Sequence, residues 1–372
     1  MDTTEQSLPT PEGDDPSRPD DVAPPDNVQR STRRWAVALL VVSVVLATLG
    51  VIARYVQLPY DTLGPGKAEP VNSVITVSGH AFYPPQGKVF YTTVSVRERI
   101  NPYEALAGWL DPTVDVIAEQ QIRGTVPPAQ YQQINVEAMA DSKTTAEVLA
   151  LRQLGFADLG AGADVVEVEA GQPAAAVLKA NDVIVAVDGA PVSTSGDAVA
   201  AIKSRAVGDT IHMQIRRDDG PPTDVQAVLG QGDDGKPLLG VRLSTKVKLP
   251  FDISIDSGRV VGPSAGLAYA LELLDVLTPG ELTGGSSVAA TGELQPDGTV
   301  GAIGGVAQKT VTVKRAGAKI FLVPKANEAE AKAHAGRGLQ VLGVSSFDDA
   351  LHALASLSGS NALALGKPGS GT

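Results

Sequence analysis

The sequence predicts an α+β protein with a single transmembrane helix ahead of a large folded region. An uncharged apolar run of nineteen residues extends from Trp35 to Ala53. At a rise of about 1.5 Å per residue, such a run is long enough to cross a bilayer as a helix. Beyond it, residues 156–245 alternate as short strands do, and residues 246–356 mix strands, glycine turns and apolar helices. The 372 residues allow two or three domains.

The composition argues against several function classes. Thirty Lys and Arg residues against 42 Asp and Glu residues give a net charge of −12. This balance argues against a nucleic-acid binder, which needs a surplus of basic residues to neutralise phosphates. The chain has no cysteine and only four histidines, at positions 80, 212, 334 and 352. Disulfides and thiolate sites are therefore excluded, and we expect no metal site and no cofactor.

The amino end predicts a disordered tail followed by an uncleaved anchor. Residues 1–29 contain six prolines and eight acidic residues, which leaves almost nothing to bury. Arg30, Arg33 and Arg34 directly precede the apolar run. The positive-inside rule then places the amino end in the cytoplasm and the remainder outside, as a single-pass protein of the cell membrane. The alternatives are a buried core helix, which rarely lacks any polar face, and a cleaved signal peptide, which would have a shorter apolar run.

The segment of residues 60–155 predicts two strands followed by two helices. The strands cover Val71–Val77 and Val89–Val96, and the helices cover Asn101–Leu110 and Asp141–Leu154. Ser264, the candidate nucleophile described below, lies more than 150 residues after this pair of strands. Because the ends of a small β domain often lie close together, the block between can be an insertion within one fold. We therefore assign residues 60–155 in part to the domain that contains Ser264.

Residues 156–245 resemble a bacterial PDZ domain. The resemblance is carried by Pro173-Ala174, Asn181–Ile184, Val187–Gly189 and Val207–Asp209. Asn181 replaces the usual glycine, and asparagine is the next most tolerant residue of a left-handed backbone.

The PDZ resemblance implies a peptide-binding edge, because such domains add an extended peptide as one more strand. It places the carboxylate-binding loop near Gly160 and Gly162, and the edge strand at Val165, Val166 and Val168. The alternative is a β-rich spacer without a ligand, since the Asp164 carboxylate would repel a peptide carboxylate.

Ser264 is a candidate nucleophile. It lies in Gly262-Pro263-Ser264-Ala265-Gly266, just before a helix with leucines on one face. The glycines leave room for a substrate, and the first N–H groups of a helix suit an oxyanion. The alternative is that Ser264 only caps that helix, a common role for serine.

Lys309 is the candidate general base. It follows Gly304-Gly305 and lies in the first turn of a helix predicted over 306–316, among small apolar residues. Both the helix dipole and burial disfavour a charged amine at this position, so they lower its pKa. A neutral lysine amine can take the proton of a serine hydroxyl.

Taken together, these motifs resemble the proteolytic domain of Lon-type serine proteases. The resemblance implies that Ser264 is the nucleophile, Lys309 the base and Thr291 a hydroxyl that supports the pair. It implies further that Gly262, Pro263, Ala265 and Gly266 form the oxyanion or substrate loop. Val260-Val261 departs from the pattern, since soluble Lon enzymes usually have an acidic residue there. Lon-like domains often assemble as hexameric rings, so the resemblance also implies a homo-oligomer.

The whole layout is similar to membrane-anchored PDZ–Lon proteases of Gram-positive bacteria. No P-loop is found, because Gln308 stands where the second glycine of G-x-x-x-x-G-K-[ST] is required. The sequence therefore predicts an ATP-independent serine endopeptidase for extracytoplasmic or membrane-associated proteins, in which the PDZ domain binds peptides or regulates access. The alternatives are a catalytically silent PDZ adaptor on the membrane and a Ser–His–Asp hydrolase.

These predictions divide the chain into six segments: a disordered cytoplasmic tail (1–34), a transmembrane helix (35–54), a juxtamembrane α/β region (60–155), a PDZ domain (156–245), a Lon-type proteolytic domain (246–356) and a loose tail (357–372).

Overall fold

The structure is a computed structural model that describes residues 26–156, 159–218, 220–232 and 235–365. The predicted disordered tail lies outside the described residues as far as position 25, and so do the last seven residues of the predicted loose tail.

The first helix, α1, covers Asp26–Ala53. Its part Arg33–Ala53, with 21 residues and a mean hydropathy of 2.8, is long and apolar enough to cross a membrane. The prediction of disorder was wrong for residues 26–34, which are helical. Because the apolar run already forms a helix, each residue added before it gains a backbone hydrogen bond without a new nucleation step.

The next elements lead from the anchor to the PDZ-like block. They are β1 (Tyr60–Pro70), β2 (Ile75–Ser78), β3 (Lys88–Arg97), α2 (Pro102–Leu110), β4 (Asp115–Ala118), α3 (Glu119–Arg123) and α4 (Pro128–Gln153). Two of the predicted elements start in a different place. The strand predicted at Val71 begins with a 3-10 turn, and α4 starts thirteen residues before the predicted Asp141.

The described residues of the PDZ-like block form eight strands, one α-helix and a short 3-10 helix at Pro173–Ala176. The strands and the α-helix are β5 (Gly160–Val168), β6 (Val183–Val187), β7 (Ala190–Pro191), α5 (Ser195–Lys203), β8 (Thr210–Arg216), β9 (Thr223–Val228), β10 (Gly230–Gln231), β11 (Pro237–Leu238) and β12 (Val241–Val247). Asn181 has a φ of 71°, so it adopts the left-handed turn in place of glycine as predicted.

The last part of the described chain alternates strands and helices. Its elements are β13 (Asp252–Ile255), α6 (Gly266–Leu277), β14 (Ser287–Ala290), β15 (Glu293–Leu294), β16 (Val300–Gly301), α7 (Val306–Arg315), β17 (Ile320–Pro324), α8 (Glu328–Ala335), β18 (Gln340–Val344), α9 (Phe347–Ala355) and α10 (Ala362–Leu365).

One six-stranded sheet joins segments on both sides of the PDZ-like block. Its order is β18-β17-β14-β3-β1-β4. Strand β3 pairs in parallel with β14, where Val89 lies opposite Val288, and β2 pairs with β13, where Ile75 lies opposite Ile255. The predicted insertion depended on pairing of this kind, and it is present. The PDZ-like block is therefore inserted between two chain segments that together form one sheet.

Helix α6 forms the centre of the main core. All twelve of its residues are buried, and it packs against α4 and the strand β3. Apolar side chains from α4, α6, β3 and β14 belong to the same buried cluster. A helix enclosed on all sides has no need of a polar face, which explains its run of Leu, Ala and Val.

The predicted loose tail is ordered at its start. The Asn361 side-chain oxygen accepts a hydrogen bond from the Glu281 amide at 3.0 Å, and the Ser360 hydroxyl donates to the Leu282 carbonyl at 2.6 Å. Ala362 is fully buried in the main core. The prediction was therefore wrong for residues 357–365, because hydrogen bonds to distant residues and the burial of Ala362 hold this segment in place.

The predicted peptide-binding edge is not an edge. The sheet order is β12-β5-β6-β8-β9, so β5 lies between two strands and β12 is the outer one. Gly160, Gly162, Val165 and Val168 are each paired with a residue of β12, and Val166 lies between them on the same strand. The prediction failed because an edge strand and an inner strand have the same alternation, and only the distant β12 distinguishes them.

The glycines of β5 have a packing role. A Cβ atom at Gly160 would lie 2.1 Å from the Ser193 carbonyl oxygen, and one at Gly162 would lie 2.5 Å from the Ile184 carbonyl oxygen. Close backbone contact therefore requires glycine at both positions, without any ligand.

Candidate active site

Ser264 lies in a tight turn between β13 and α6, within a segment that we call the serine loop (residues 262–266). Gly262 opens the loop with a φ of 93°, a conformation that favours glycine, and Pro263–Ala265 form a single 3-10 turn. Helix α6 begins at Gly266 and has no side-chain cap. The alternative role of Ser264 as a simple helix cap is therefore wrong.

Lys309 reaches Ser264 from the first turn of α7. Gly305 precedes this helix in a left-handed conformation, with a φ of 66°, and turns the chain toward the loop. The Lys309 Nζ atom lies 2.6 Å from Ser264 Oγ. The lysine is only 3% exposed, and this burial lowers its pKa from 10.5 to about 7. The cause is desolvation, which penalises the charged amine.

Thr291 links the two residues. It is fully buried directly after β14, and Lys309 Nζ donates to its Oγ1 atom at 3.1 Å. The Thr291 hydroxyl in turn donates to the Ser264 carbonyl oxygen at 3.0 Å, and the Gly292 amide donates to that oxygen at 2.8 Å. The structure thus brings together all three residues that the sequence predicted.

Helix α4 holds the serine loop from the other side. The Gly262 amide donates to the Asn135 carbonyl at 3.0 Å, and the Ser142 hydroxyl donates to the Pro263 carbonyl at 2.9 Å. Neither Asn135 nor Ser142 was predicted from the sequence as part of the site. The signal was present for Ser142, which lies at helical spacing between Met139 and Ala146 on the buried face.

The reactive pair lies in a cleft of about 600 Å³. Apolar and polar side chains share its wall. The apolar ones include Val94, Val96 and Val260, and the polar ones include Tyr131, Arg123 and Glu293. A cleft of this size and mixed polarity can hold a short stretch of extended peptide.

The described residues offer no second catalytic arrangement at the cleft. None of the four histidines lines it, which leaves the Ser–His–Asp alternative without a base. In the described part of the chain, no three His, Asp or Glu side chains are grouped closely enough to hold a metal ion.

Comparison with known families identifies both folded regions. A family model described as the Lon protease (S16) C-terminal proteolytic domain matches residues 251–355, and a PDZ domain model matches residues 146–224. The chain carries a PDZ domain and a Lon-type proteolytic domain. The Lon-type match contains Ser264, Thr291 and Lys309, whereas the PDZ match ends before β12.

Curated relatives agree on the Lon-type domain. The chain is 42% identical over 97 residues to a Lon protease of Azospirillum brasilense, covering 25% of this chain and 12% of the relative. It is 40% identical over 96 residues to a mitochondrial Lon protease homolog of Eremothecium gossypii, covering 25% and 9%. The chain thus spans about a tenth of the length of these relatives. The comparisons support a Lon-type serine protease.

Solved structures add a likeness in the PDZ domain. The PDZ domain of an SdrC-like protein from Listeria monocytogenes is 31% identical, with a TM-score of 0.21, and covers 22% of this chain and 86% of that chain. A second, from Listeria innocua, is 28% identical with a TM-score of 0.21, and covers 22% and 92%.

Proposed function

We propose that this protein is an ATP-independent, membrane-anchored serine endopeptidase that uses a Ser264–Lys309 dyad. The observation that carries the proposal is the 2.6 Å distance between Lys309 Nζ and Ser264 Oγ inside a cleft. A serine next to a desolvated amine is the arrangement that activates a hydroxyl for nucleophilic attack.

The hydrogen bonds at Thr291 set the direction of proton transfer. Because the Thr291 hydroxyl donates to the Ser264 carbonyl, its oxygen can only accept from Lys309. The neutral amine therefore directs one N–H to Thr291, and its lone pair is left to accept the proton of the Ser264 hydroxyl. Without Thr291 the amine would rotate freely, and its lone pair would face the hydroxyl only part of the time.

The reaction then follows the two steps of covalent catalysis. Ser264 Oγ attacks the peptide carbonyl as its proton passes to Lys309, and N–H groups at the start of α6 stabilise the oxyanion. The lysine ammonium returns the proton to the leaving amine, and an acyl-enzyme remains on Ser264. A water molecule then gives a proton to Lys309 and attacks the ester carbonyl. Lys309 passes that proton to Ser264 Oγ as the ester bond breaks, which releases the acid and restores both residues.

ATP independence is supported by the role of Lys309. The residues Gly305-Val-Ala-Gln308-Lys309-Thr310 lack the second glycine of a P-loop. The Lys309 side chain points to Ser264, and the Gln308 side chain donates to Asp115 at 2.8 Å. Neither is therefore placed to bind a phosphate. Substrates would be unfolded or loosely structured segments, because no ATP-driven motor would unfold them.

Membrane anchoring is supported by the apolar helix Arg33–Ala53. Arg30, Arg33 and Arg34 at its amino end favour a cytoplasmic amino terminus and an extracytoplasmic protease domain.

The PDZ domain would bind peptide segments or regulate access to the cleft. In the described sheet the two edge strands are β12 and β9, so a peptide that adds as a strand would pair with one of these and not with β5. A hexameric ring stays a prediction from the Lon resemblance.

The decisive experiment compares variants of the dyad in the full detergent-solubilised chain. Ser264→Ala, Lys309→Arg and Lys309→Gln should each abolish cleavage of casein, because each removes the nucleophile or the base while the fold persists. A fluorophosphonate probe should label the wild type at Ser264. Lys314→Arg, at the far end of the same helix, is the matched control and should retain wild-type turnover. A folded Lys309→Arg variant with near wild-type turnover would refute Lys309 as the base. A wild type that neither cleaves casein nor is labelled would instead favour the silent adaptor.

A further inference from the structure

Helix α4 connects the serine loop to the PDZ domain. One face holds the loop, through the Asn135 carbonyl and the Ser142 hydroxyl. At about 100° per residue, Glu137 and Asp141 lie on roughly the opposite face of the helix. These two carboxylates contact strand β12 of the PDZ domain.

The contacts with β12 are polar and specific. The Ser244 hydroxyl donates to Asp141 Oδ1 at 2.9 Å. Arg242 forms an ion pair with Glu137 and a second one with Glu167 of β5, at 2.9 Å. The side chains of Arg242 and Ser244 therefore both reach α4 from β12.

The loop contacts act directly on the nucleophile. Ser142 is only 3% exposed, and its hydroxyl bonds the carbonyl of the residue just before Ser264. A Cβ atom at Gly266 would lie 2.6 Å from Ser142 Oγ, so the helix start is pressed against this side chain. A small shift of α4 would therefore move Ser264 relative to Lys309.

A second cleft, of about 240 Å³, lies where these contacts meet. Asp141, Ser142, Ser244 and Pro263 all border it. Residues of the PDZ domain, of α4 and of the serine loop thus border one small cleft.

We propose that α4 couples strand β12 of the PDZ domain to the serine loop, with Ser142 as a positioning residue, so that a change at β12 alters the reactivity of Ser264. This proposal rests on the proposed function, since it assigns a control to the same nucleophile. It gives the PDZ domain a direct mechanical path to the active site: strand β12, the Asp141–Ser142 pair of α4, and the Pro263 carbonyl.

The test is a double-mutant cycle on the full detergent-solubilised chain, read as the rate at which a fluorophosphonate labels Ser264. Ser142→Ala should slow labelling by roughly fivefold or more, because it removes a buried hydrogen bond to the loop. Ser244→Ala should also slow labelling, because the Ser244 hydroxyl donates to Asp141 of α4. In the Ser142→Ala background, Ser244→Ala should add little, since both changes act through one path.

Ser204→Ala is the matched control. Its hydroxyl donates to the Ala201 carbonyl within α5, away from α4, so its loss should leave the labelling rate unchanged. Two results would overturn the coupling: a Ser244→Ala variant that labels at the wild-type rate, even with a lower melting temperature, or effects of Ser142→Ala and Ser244→Ala that simply multiply.

Amide hydrogen exchange keeps this test separate from the proposed function. Ser244→Ala should increase exchange in residues 262–266, and Ser204→Ala should not. If the wild type is not labelled at all, the dyad proposal fails, while the exchange result still decides the coupling. Unchanged exchange in Ser244→Ala would overturn the coupling whatever the labelling shows.

Discussion

Replacing Lys309 by methionine should make the protein more stable and inactive. Methionine has a similar length and carries no charge, so it removes the buried amine without leaving a large cavity. The lowering of the Lys309 pKa from 10.5 to about 7 measures the cost of burying the charge. It corresponds to about 5 kcal/mol between the two protonation states. Part of this cost is present in the wild-type fold at any pH below 10.

The stabilisation expected from Lys309→Met depends on pH, and the protonation states of the lysine fix the direction of that dependence. Below pH 7 the lysine is charged in both the folded and the unfolded chain, and the fold bears the full desolvation cost. Between pH 7 and 10 the folded chain has lost the proton and the unfolded chain has kept it, so wild-type stability rises by about 1.4 kcal/mol per pH unit. The stabilisation by Lys309→Met should therefore be largest at pH 6 and shrink steadily toward pH 10.

Urea unfolding at pH 6, 8 and 10 measures this difference as free energies of unfolding. Other buried groups titrate in the same range, but they are common to both chains and cancel in the comparison. Lys314→Met, at the exposed end of α7, should show no such trend. A Lys309→Met variant that is less stable than the wild type, or a difference that does not change with pH, would refute the desolvated lysine.

Four further outcomes follow from the structure. Gly262→Ala should slow fluorophosphonate labelling about tenfold, because a φ of 93° strains any side chain. Thr291→Val should lower kcat for a peptide substrate by tenfold or more and leave KM unchanged, since it frees the lysine amine to rotate. Glu272 is buried and its pKa is raised to about 8, so Glu272→Gln should raise the melting temperature, with a gain that grows from pH 5 to pH 8. Protease added to intact cells should digest the chain beyond Tyr55, and protection of that part would reverse the proposed orientation.

The residues of the dyad could be predicted because short sequence motifs around each of them determine their local environment. Glycines surround Ser264, and Gly304-Gly305 fixes the start of the helix that carries Lys309. A short motif with defined spacing specifies the turn, the helix start and the apolar surround at once. The structure brings Ser264, Lys309 and Thr291 within hydrogen-bonding distance as those motifs indicate.

The errors concern contacts between distant segments. The inner position of β5 depends on β12, whose residues lie about 75 positions later, and strand alternation carries no information about neighbours. The ordering of residues 357–365 depends on Glu281 and Leu282, which no local pattern connects to them. Ser142 was missed for the same reason, since its partner Pro263 lies 121 residues away.

The pairing of β3 with β14 also bears on when the proposed dyad can be assembled during synthesis. The paired strands lie about 200 residues apart, and the whole PDZ domain is made between them. Closing so long a loop is slow, whereas the PDZ domain is built from nearby segments and can form first. Lys309 follows β14 along the chain, so a partly made polypeptide holds an exposed β3 and no base. The proposed dyad therefore cannot form before Lys309 has left the ribosome.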